Sequence, residues 1–226
     1  MAFRVVRLVL TAILSGLLLW PAVAVRSEEL KTVALPRPRT SGGRPLLTVL
    51  KERQSIREFS SRSLPLSLTG DLLWAAFGVN RPTTGHRTAP SAMNSQELDL
   101  YVLTAEGVSV YVPESHALKS VAGGDWRAAT GGQGFVKEAP LAVVLVADLS
   151  RLSKARPEDR ERYAMFDAGC VSQNLYLFCA SEGLATVVHE VDRPRLMEAL
   201  KLRPEQRVIL AHTIGYPKPA VDSSAP

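Results

Sequence analysis

The chain has few of the residues that build metal centres or disulfide frameworks. Its 226 residues include two cysteines and four histidines, and these do not follow the spacing of a metal-binding motif. Cys170 and Cys179 are nine residues apart in a stretch of helical pattern, so they point to opposite sides of one helix. They cannot form a disulfide within that helix. The sequence therefore predicts no metal site and no disulfide.

A strong excess of charge is also missing. The chain has 27 Lys and Arg against 22 Asp and Glu, and aromatic residues make up only 6% of it. No cluster of basic residues alternates with aromatic ones, so nucleic acid is not expected as a partner. No Gly-x-Gly-x-x-Gly fingerprint, catalytic triad or pair of catalytic carboxylates is visible either. The modest positive excess suits a small anionic ligand.

The longest hydrophobic run preceded by basic residues lies at the N-terminus. Arg4 and Arg7 precede an apolar run over residues 8–20. An Ala-x-Ala sequence that ends at Ala24 follows this run. This order predicts a secretory signal peptide over residues 1–24, cleaved after Ala24, and a secreted or periplasmic mature protein. An uncleaved membrane anchor is the alternative, although the run is shorter than the roughly 20 residues that span a bilayer.

The rest of the chain is predicted to form one domain with flanking segments. Residues 25–44 contain Pro, Arg, Ser and Gly without apolar periodicity, which predicts an extended arm or linker. Residues 45–218 form the domain, and residues 219–226 form a flexible tail. Strands and helices mix without a repeating βαβ unit, so the fold class is α+β.

Within the domain, the patterns locate several elements. Alternating residues predict a hairpin over 98–104 and 108–112, and a continuous apolar run predicts a buried central strand over 141–147. Residues 116–121 are predicted to form a short helix. The longest helix is expected over 157–181. It has few charges after Asp167, and a helix that is apolar nearly all round is buried in a core or in a subunit interface.

Two polar segments are candidate ligand sites. Arg53, Ser55 and Arg57 follow a helical pattern and bring two guanidiniums and a hydroxyl together, which is a suitable grip for a phosphate group. A solvated basic turn is the alternative reading of these residues. The second segment is the Pro-containing loop from Arg87 to Gln96, which leads directly into an alternating strand.

Taken in order, these segments resemble the nitroreductase superfamily. The motifs that carry the resemblance are Arg53-x-Ser55-x-Arg57, Pro90-Ser91-Ala92-x-Asn94-x-Gln96, Asp167-Ala168-Gly169, Gly183-Leu184 and Gly215-Tyr216-Pro217. Many nitroreductases continue the second motif with Pro-Trp, whereas this chain continues with Glu97-Leu98. Within the superfamily, Arg87-Thr88-x-Pro90-Ser91-Ala92 followed by a Tyr-bearing strand is most similar to the thiazole/oxazole dehydrogenase (SagB-type) branch, and the missing Pro-Trp also favours that branch.

The resemblance implies an FMN-dependent oxidoreductase that acts on a small organic substrate. It also implies a three-layer α+β fold, with a mostly antiparallel central sheet flanked by helices, and a homodimer with two flavin sites at its interface. The residues that the resemblance assigns to FMN are Arg53, Gln54, Ser55, Arg57, Pro90, Ser91, Ala92, Asn94, Val188, His189 and Lys218. Residues 90–94 are expected to come from the other subunit.

The catalytic group and the electron donor stay open. The flavin carries the redox chemistry, so the protein does not need a catalytic triad. His86, Arg87 and His189 are candidates for a proton donor or a substrate contact. NAD(P)H is one possible donor, but reduced nicotinamide is scarce outside the cytoplasm. A non-catalytic flavin- or ligand-binding module of the same fold and a membrane-anchored interaction protein are the alternatives.

Overall fold

The computed structural model describes residues 31–219, so the predicted signal peptide and most of the predicted tail lie outside the described residues. Its main feature is a seven-stranded, fully antiparallel sheet in the order β1-β6-β5-β4-β7-β9-β8. The nine strands are β1 (Thr32–Ala34), β2 (Val79–Arg81), β3 (His86–Arg87), β4 (Leu98–Leu103), β5 (Gly107–Val112), β6 (Ala117–Gly123), β7 (Leu141–Asp148), β8 (Ala185–His189) and β9 (Gln206–Gly215). β2 and β3 form a separate ribbon.

Four α-helices accompany the sheet: α1 (Leu46–Glu52), α2 (Leu66–Phe77), α3 (Arg160–Glu182) and α4 (Arg193–Ala199). α2 and α3 cover one face, where Leu73 and Leu175 pack against sheet residues such as Leu145. α4 covers part of the other face through Leu196 and Leu200. Helices therefore lie on both sides of the sheet, which confirms the predicted three-layer α+β fold. None of the described helices is long and apolar enough to cross a membrane.

The central strand follows directly from its composition. Every residue of β7 is buried, and β7 pairs with β4 on one side and β9 on the other. A continuous apolar run is expected where both faces of a strand are covered. α3 ends at Gly183, whose φ of +68° is in the left-handed region that glycine adopts without strain. The predicted central strand and longest helix are both confirmed.

Two local predictions need correction. Residues 116–121 do not form a short helix; residues 117–121 belong to β6, which lies between β1 and β5. Pairing on both sides outweighs the weak helical preference of this stretch. The described part of the predicted arm is not a free tether, because β1 is an edge strand of the sheet and Leu35 after it is buried.

Candidate functional site

Residues 53–57, the first candidate ligand segment, lie beside β8, where Arg53, Gln54 and Ile56 line a groove. α1 ends at Glu52, and the extended residues after it dock onto β8 through a 3.0 Å hydrogen bond from the Ile56 N–H to the Thr186 carbonyl. The groove has a volume of about 550 Å³. Its lining includes Arg53, Gln54, Ile56, Tyr176, Thr186 and Pro217. This volume falls within the range of small-molecule and cofactor sites.

Tyr176 connects the two sides of this groove. Its hydroxyl lies 2.8 Å from the Ser55 hydroxyl and accepts a 3.0 Å hydrogen bond from the Val188 N–H. The Arg53 guanidinium lies over its ring, 5.1 Å from the centroid. Tyr176 was not among the predicted site residues. The sequence feature that could have identified Tyr176 is its position in an otherwise apolar helix, because the hydroxyl of a buried tyrosine usually forms a hydrogen bond.

Arg57 and Lys218 lie on adjacent segments, because the C-terminal segment runs beside residues 58–60. The Lys218 N–H donates to the Glu58 carbonyl at 3.1 Å, and Phe59 forms a bridge with Pro217. Arg57 and Lys218 are both exposed. The resemblance assigned both residues to FMN, and the structure places them on adjacent segments.

The cations of this region are not neutralised by nearby acids. Within residues 31–219, no carboxylate forms an ion pair with Arg53, Arg57 or Lys218. Glu52, the nearest acid in sequence to Arg53, pairs with Arg44 at 2.6 Å instead. Three positive charges and the Ser55 hydroxyl therefore fit a dianionic group such as a phosphate monoester.

His189 is held as a structural residue. One ring nitrogen lies 3.0 Å from the Glu190 carbonyl and the other lies 2.9 Å from the Thr213 hydroxyl. Burial lowers the pKa of the imidazole below its usual value. With both nitrogens engaged, the side chain has no free hydrogen-bonding site for a substrate in this arrangement. The N–H of the neighbouring Val188 is likewise taken by Tyr176.

A second histidine, which sequence reasoning did not select, supports the groove from below. His212 is fully buried on β9, and its ring nitrogens lie 2.7 Å from the Ser172 hydroxyl and 3.1 Å from the Thr186 hydroxyl. Its ring stacks edge-on against Tyr176 at 5.0 Å. Burial lowers the pKa of His212 to about 3, so the imidazole is neutral at physiological pH.

The second predicted segment forms a strained loop at a different place. Met93, Asn94 and Gln96 all have positive φ values, of 53°, 54° and 48°. Such conformations cost energy in non-glycine residues and persist only where the surroundings hold them. The Gln96 N–H donates to the Ser91 hydroxyl at 2.9 Å, and the Ala92 N–H donates to an Asp167 carboxylate oxygen at 2.7 Å. Of the predicted contacts, Pro90 and Asn94 are exposed.

The catalytic candidates Arg87 and His86 differ in their burial and in their hydrogen bonds. Arg87 is buried, donates through Nε to Gln96 at 2.9 Å and forms an ion pair with Glu114. His86 is half-buried, and its Nδ1 lies 2.7 Å from the Thr84 hydroxyl. Neither residue lines the groove beside Tyr176.

A buried acid beneath the loop is a further residue that sequence reasoning missed. Glu97 is fully buried, and neither of its carboxylate oxygens has a hydrogen-bond partner among the described residues. Burial and the neighbouring Asp167 raise the pKa of Glu97 to about 7. Asp167 also holds the Ala92 N–H, so this acid pair lies directly under the loop.

The loop and the groove do not meet within one chain. No residue of 90–96 lines the groove, although both regions contact α3. Asp167 and Tyr176 are nine residues apart on this helix, which corresponds to about 14 Å along its axis and to opposite sides of it. One copy of the chain therefore presents two separate halves of the predicted flavin site.

Comparison with known proteins gives a consistent result. The sequence profile of the nitroreductase family matches residues 50–216. A protein of Methanocaldococcus jannaschii named as a nitroreductase is 34% identical over 149 residues, which cover 62% of this chain and 75% of that protein.

Solved structures agree with the family profile. A crystal structure titled as a nitroreductase, from Ralstonia eutropha JMP134, is 40% identical with a TM-score of 0.79, covering 83% of this chain and 90% of that chain. A chain of the E. coli microcin synthetase McbBCD complex, solved with truncated pro-MccB17 bound, shares the fold with a TM-score of 0.64. That chain is 19% identical, and the match covers 92% of this chain and 85% of the microcin synthetase chain.

Proposed function

The chain belongs to the nitroreductase family, and we propose that it is an FMN-dependent oxidoreductase acting on a small organic substrate. The family generally uses flavin cofactors. The observation that carries the proposal is the pair of contacts at Tyr176, whose ring lies under the Arg53 guanidinium and whose hydroxyl lies 2.8 Å from the Ser55 hydroxyl, beside a groove that Arg53 lines. Arg57 follows on the same segment, and Lys218 lies on the adjacent one. This set of donors is what a flavin phosphate requires.

Each of these residues has a distinct part in binding. Arg53 and Arg57 bind phosphate oxygens through planar forks of N–H donors, and Lys218 adds a third positive charge. Tyr176 fixes the Ser55 hydroxyl, which is then positioned to contact the phosphate or the chain attached to it. When bound, FMN supplies the electron transfer that no side chain of this protein can supply.

We propose that a second copy of the chain completes the site. The loop that carries Ser91 and Asn94 lies away from the groove of its own chain, so a partner has to bring it to the flavin ring. Met165 and Phe166 on α3 support this arrangement, because they are 58% and 62% exposed although both are large and apolar. An exposed apolar patch of this kind is typical of an interface. The proposed assembly is a homodimer with two flavin sites.

Within the family, we propose the thiazole/oxazole dehydrogenase branch. The supporting feature is Glu97, which follows Gln96 where many nitroreductases have Pro-Trp, and which is fully buried. In that branch the substrate is a thiazoline or oxazoline ring, which loses two electrons and two protons to become aromatic while the flavin takes up the electrons. Reduction of a nitroaromatic compound by reduced flavin is the competing activity.

The test starts from protein purified without added cofactor. We expect a yellow protein whose visible absorption is that of FMN and is bleached by dithionite. Aerobic incubation of the oxidised protein with a thiazoline should yield the thiazole, whereas NAD(P)H with a nitroaromatic compound tests the competing activity. A colourless protein that takes up no FMN would contradict the proposed function. Flavin that only dithionite reduces would indicate a non-catalytic flavin-binding module.

We also propose that the chain is exported. This rests on the N-terminal sequence alone, since residues 1–24 lie outside the described part. Mass spectrometry of the protein recovered from the cell envelope should give a chain that begins at Val25. A chain that retains the leader would indicate a membrane anchor instead.

A further inference from the structure

Arg87 occupies a place that folding stability alone does not explain. Its side chain is 7% exposed, and its guanidinium lies over the Phe77 ring at 5.6 Å from the centroid. Nε donates to the Gln96 side-chain oxygen at 2.9 Å, and one terminal nitrogen pairs with Glu114, which is largely exposed. The other terminal nitrogen has no partner among the described residues. Burying a cation with an unused donor is costly, so a compensating role is expected.

The contacts of Arg87 determine which atoms of Gln96 and Asn94 donate hydrogen bonds and which accept them. Arginine has five N–H donors and no acceptor, so the atom of Gln96 that faces Nε has to be the amide oxygen. The Gln96 amide nitrogen is then on the other side. There it donates to the Asn94 side-chain oxygen at 3.1 Å and to the Gly85 carbonyl, also at 3.1 Å. This orientation follows from the donors of Arg87, because arginine cannot accept a hydrogen bond.

The same reasoning extends to Asn94. Because its oxygen accepts from Gln96, its amide nitrogen is left as the donor, and no described residue accepts a hydrogen bond from it. Asn94 is exposed and has a positive φ of 54°, so the loop presents this N–H₂ group at its surface. A flavin ring offers carbonyl oxygens and ring nitrogens as acceptors, and their negative charge increases on reduction.

We infer that Arg87 is a positioning residue, which acts through Gln96 to fix Asn94 as a hydrogen-bond donor to the flavin ring. This inference rests on the proposed function, because it takes the ligand of Asn94 to be FMN. A donor that faces the ring stabilises the more negative, reduced flavin most. Arg87 therefore raises the midpoint potential of the flavin without touching it.

The first experiment uses flavin-free protein, so it does not depend on the proposed function. Hydrogen exchange of the side-chain amides is measured by NMR in the wild type, R87M and R87K. We expect the Gln96 amide to exchange about tenfold faster in R87M, because a lost charge-assisted hydrogen bond is worth roughly 1.5–3 kcal/mol. R87K retains one donor and should fall between the two. R81M is the matched control, since Arg81 lies on the same ribbon and its side chain donates a hydrogen bond to the main-chain carbonyl of Arg87.

The second experiment measures the midpoint potential of bound FMN. R87M should weaken binding of reduced relative to oxidised FMN about tenfold, which lowers a two-electron potential by about 30 mV. In an N94A background, R87M should cause no further shift, because both substitutions break the same chain of contacts. Q96M breaks that chain at its middle and should lower the midpoint potential as R87M does. Q96M therefore tests the inference even if R87M does not fold.

The outcomes separate the inference from the proposed function. Unchanged Gln96 exchange in R87M would overturn the inference whether or not FMN binds. Shifts of R87M and N94A that simply add would also overturn it, because Arg87 would then act by another route. A protein that binds no FMN but shows faster Gln96 exchange in R87M would contradict the proposed function and support the role of Arg87 in the loop.

Discussion

The hydroxyl of Tyr176 lies 2.8 Å from the hydroxyl of Ser55. The same phenol accepts from the Val188 N–H, so one side chain of α3 joins the segment after α1 to β8. His212 packs edge-on against the Tyr176 ring and is itself held by Ser172. The groove is therefore built on a buried polar network, and its shape depends on hydrogen bonds as well as on packing.

Replacing Tyr176 by Phe removes this connection without creating a large cavity. The Val188 N–H loses its partner, so the free energy of unfolding should fall by about 1–3 kcal/mol. The FMN affinity should fall as well, because Ser55 is no longer oriented. Chemical denaturation and FMN titration measure the two effects. Y163F on the same helix is the control. A Y176F protein that matches the wild type in both measurements would show that the phenol does not organise the groove.

The exposed apolar residues of α3 predict a self-association surface. Phe166→Glu places a charge where the partner is proposed to pack, and the protein should become monomeric by light scattering after gel filtration. FMN affinity should fall with it, because the loop that contains Asn94 is proposed to come from the other copy. Lys119→Glu, on exposed β6, is the control for the added acid. An F166E protein that remains dimeric and binds FMN normally would contradict the proposed interface.

The buried acid under the loop predicts a pH dependence of stability. The pKa of Glu97 is raised to about 7 from an ordinary value of 4.5, so the folded state holds a proton that the unfolded state releases between these values. Stability is therefore lost as the pH rises from 4.5 to 7 and stays reduced above that range.

Glu97→Gln removes this titration. Between pH 4 and pH 8, the free energy of unfolding of E97Q should rise by on the order of 3 kcal/mol relative to that of the wild type. This is the energy that corresponds to the about 2.5 pKa units between the folded and the ordinary pKa of Glu97. Urea unfolding at several pH values measures the difference, and E138Q, at an exposed acid, is the control. A wild type and an E97Q variant with parallel pH profiles would show that Glu97 does not carry the buried proton.

The parts of this fold that were predictable are those in which local pattern and tertiary role agree. β7 is apolar from residue 141 to residue 147, as expected of a strand covered on both faces, and α3 ends where Gly183 allows a left-handed turn. The sequence predicts a helix over 116–121, whereas β6 (Ala117–Gly123) is a strand because its neighbours β1 and β5 pair with it. Pairing with strands that are set by the fold leaves little trace in a short sequence.

The candidate site divides in the same way. The motif around Arg53 was visible because its donors are close in sequence, and the structure puts Ser55 and Arg53 beside Tyr176. Tyr176 and His212 were missed because their roles depend on contacts between residues that are distant in sequence. The sequence left His189 open between a proton donor and a plain loop residue, and its position in β8 directs both ring nitrogens to protein partners.

The central claim is that the groove binds the phosphate of FMN, and the most direct measurement compares FMN with riboflavin. Calorimetric titration of flavin-free wild type should show FMN binding at least about a hundredfold tighter, since two charge-assisted contacts contribute roughly 1.5–3 kcal/mol each. In the Arg53→Ala, Arg57→Ala double variant this preference should fall at least about a hundredfold while riboflavin affinity is unchanged. Equal affinity of the wild type for the two flavins, or a preference that is undiminished in the double variant, would contradict the account.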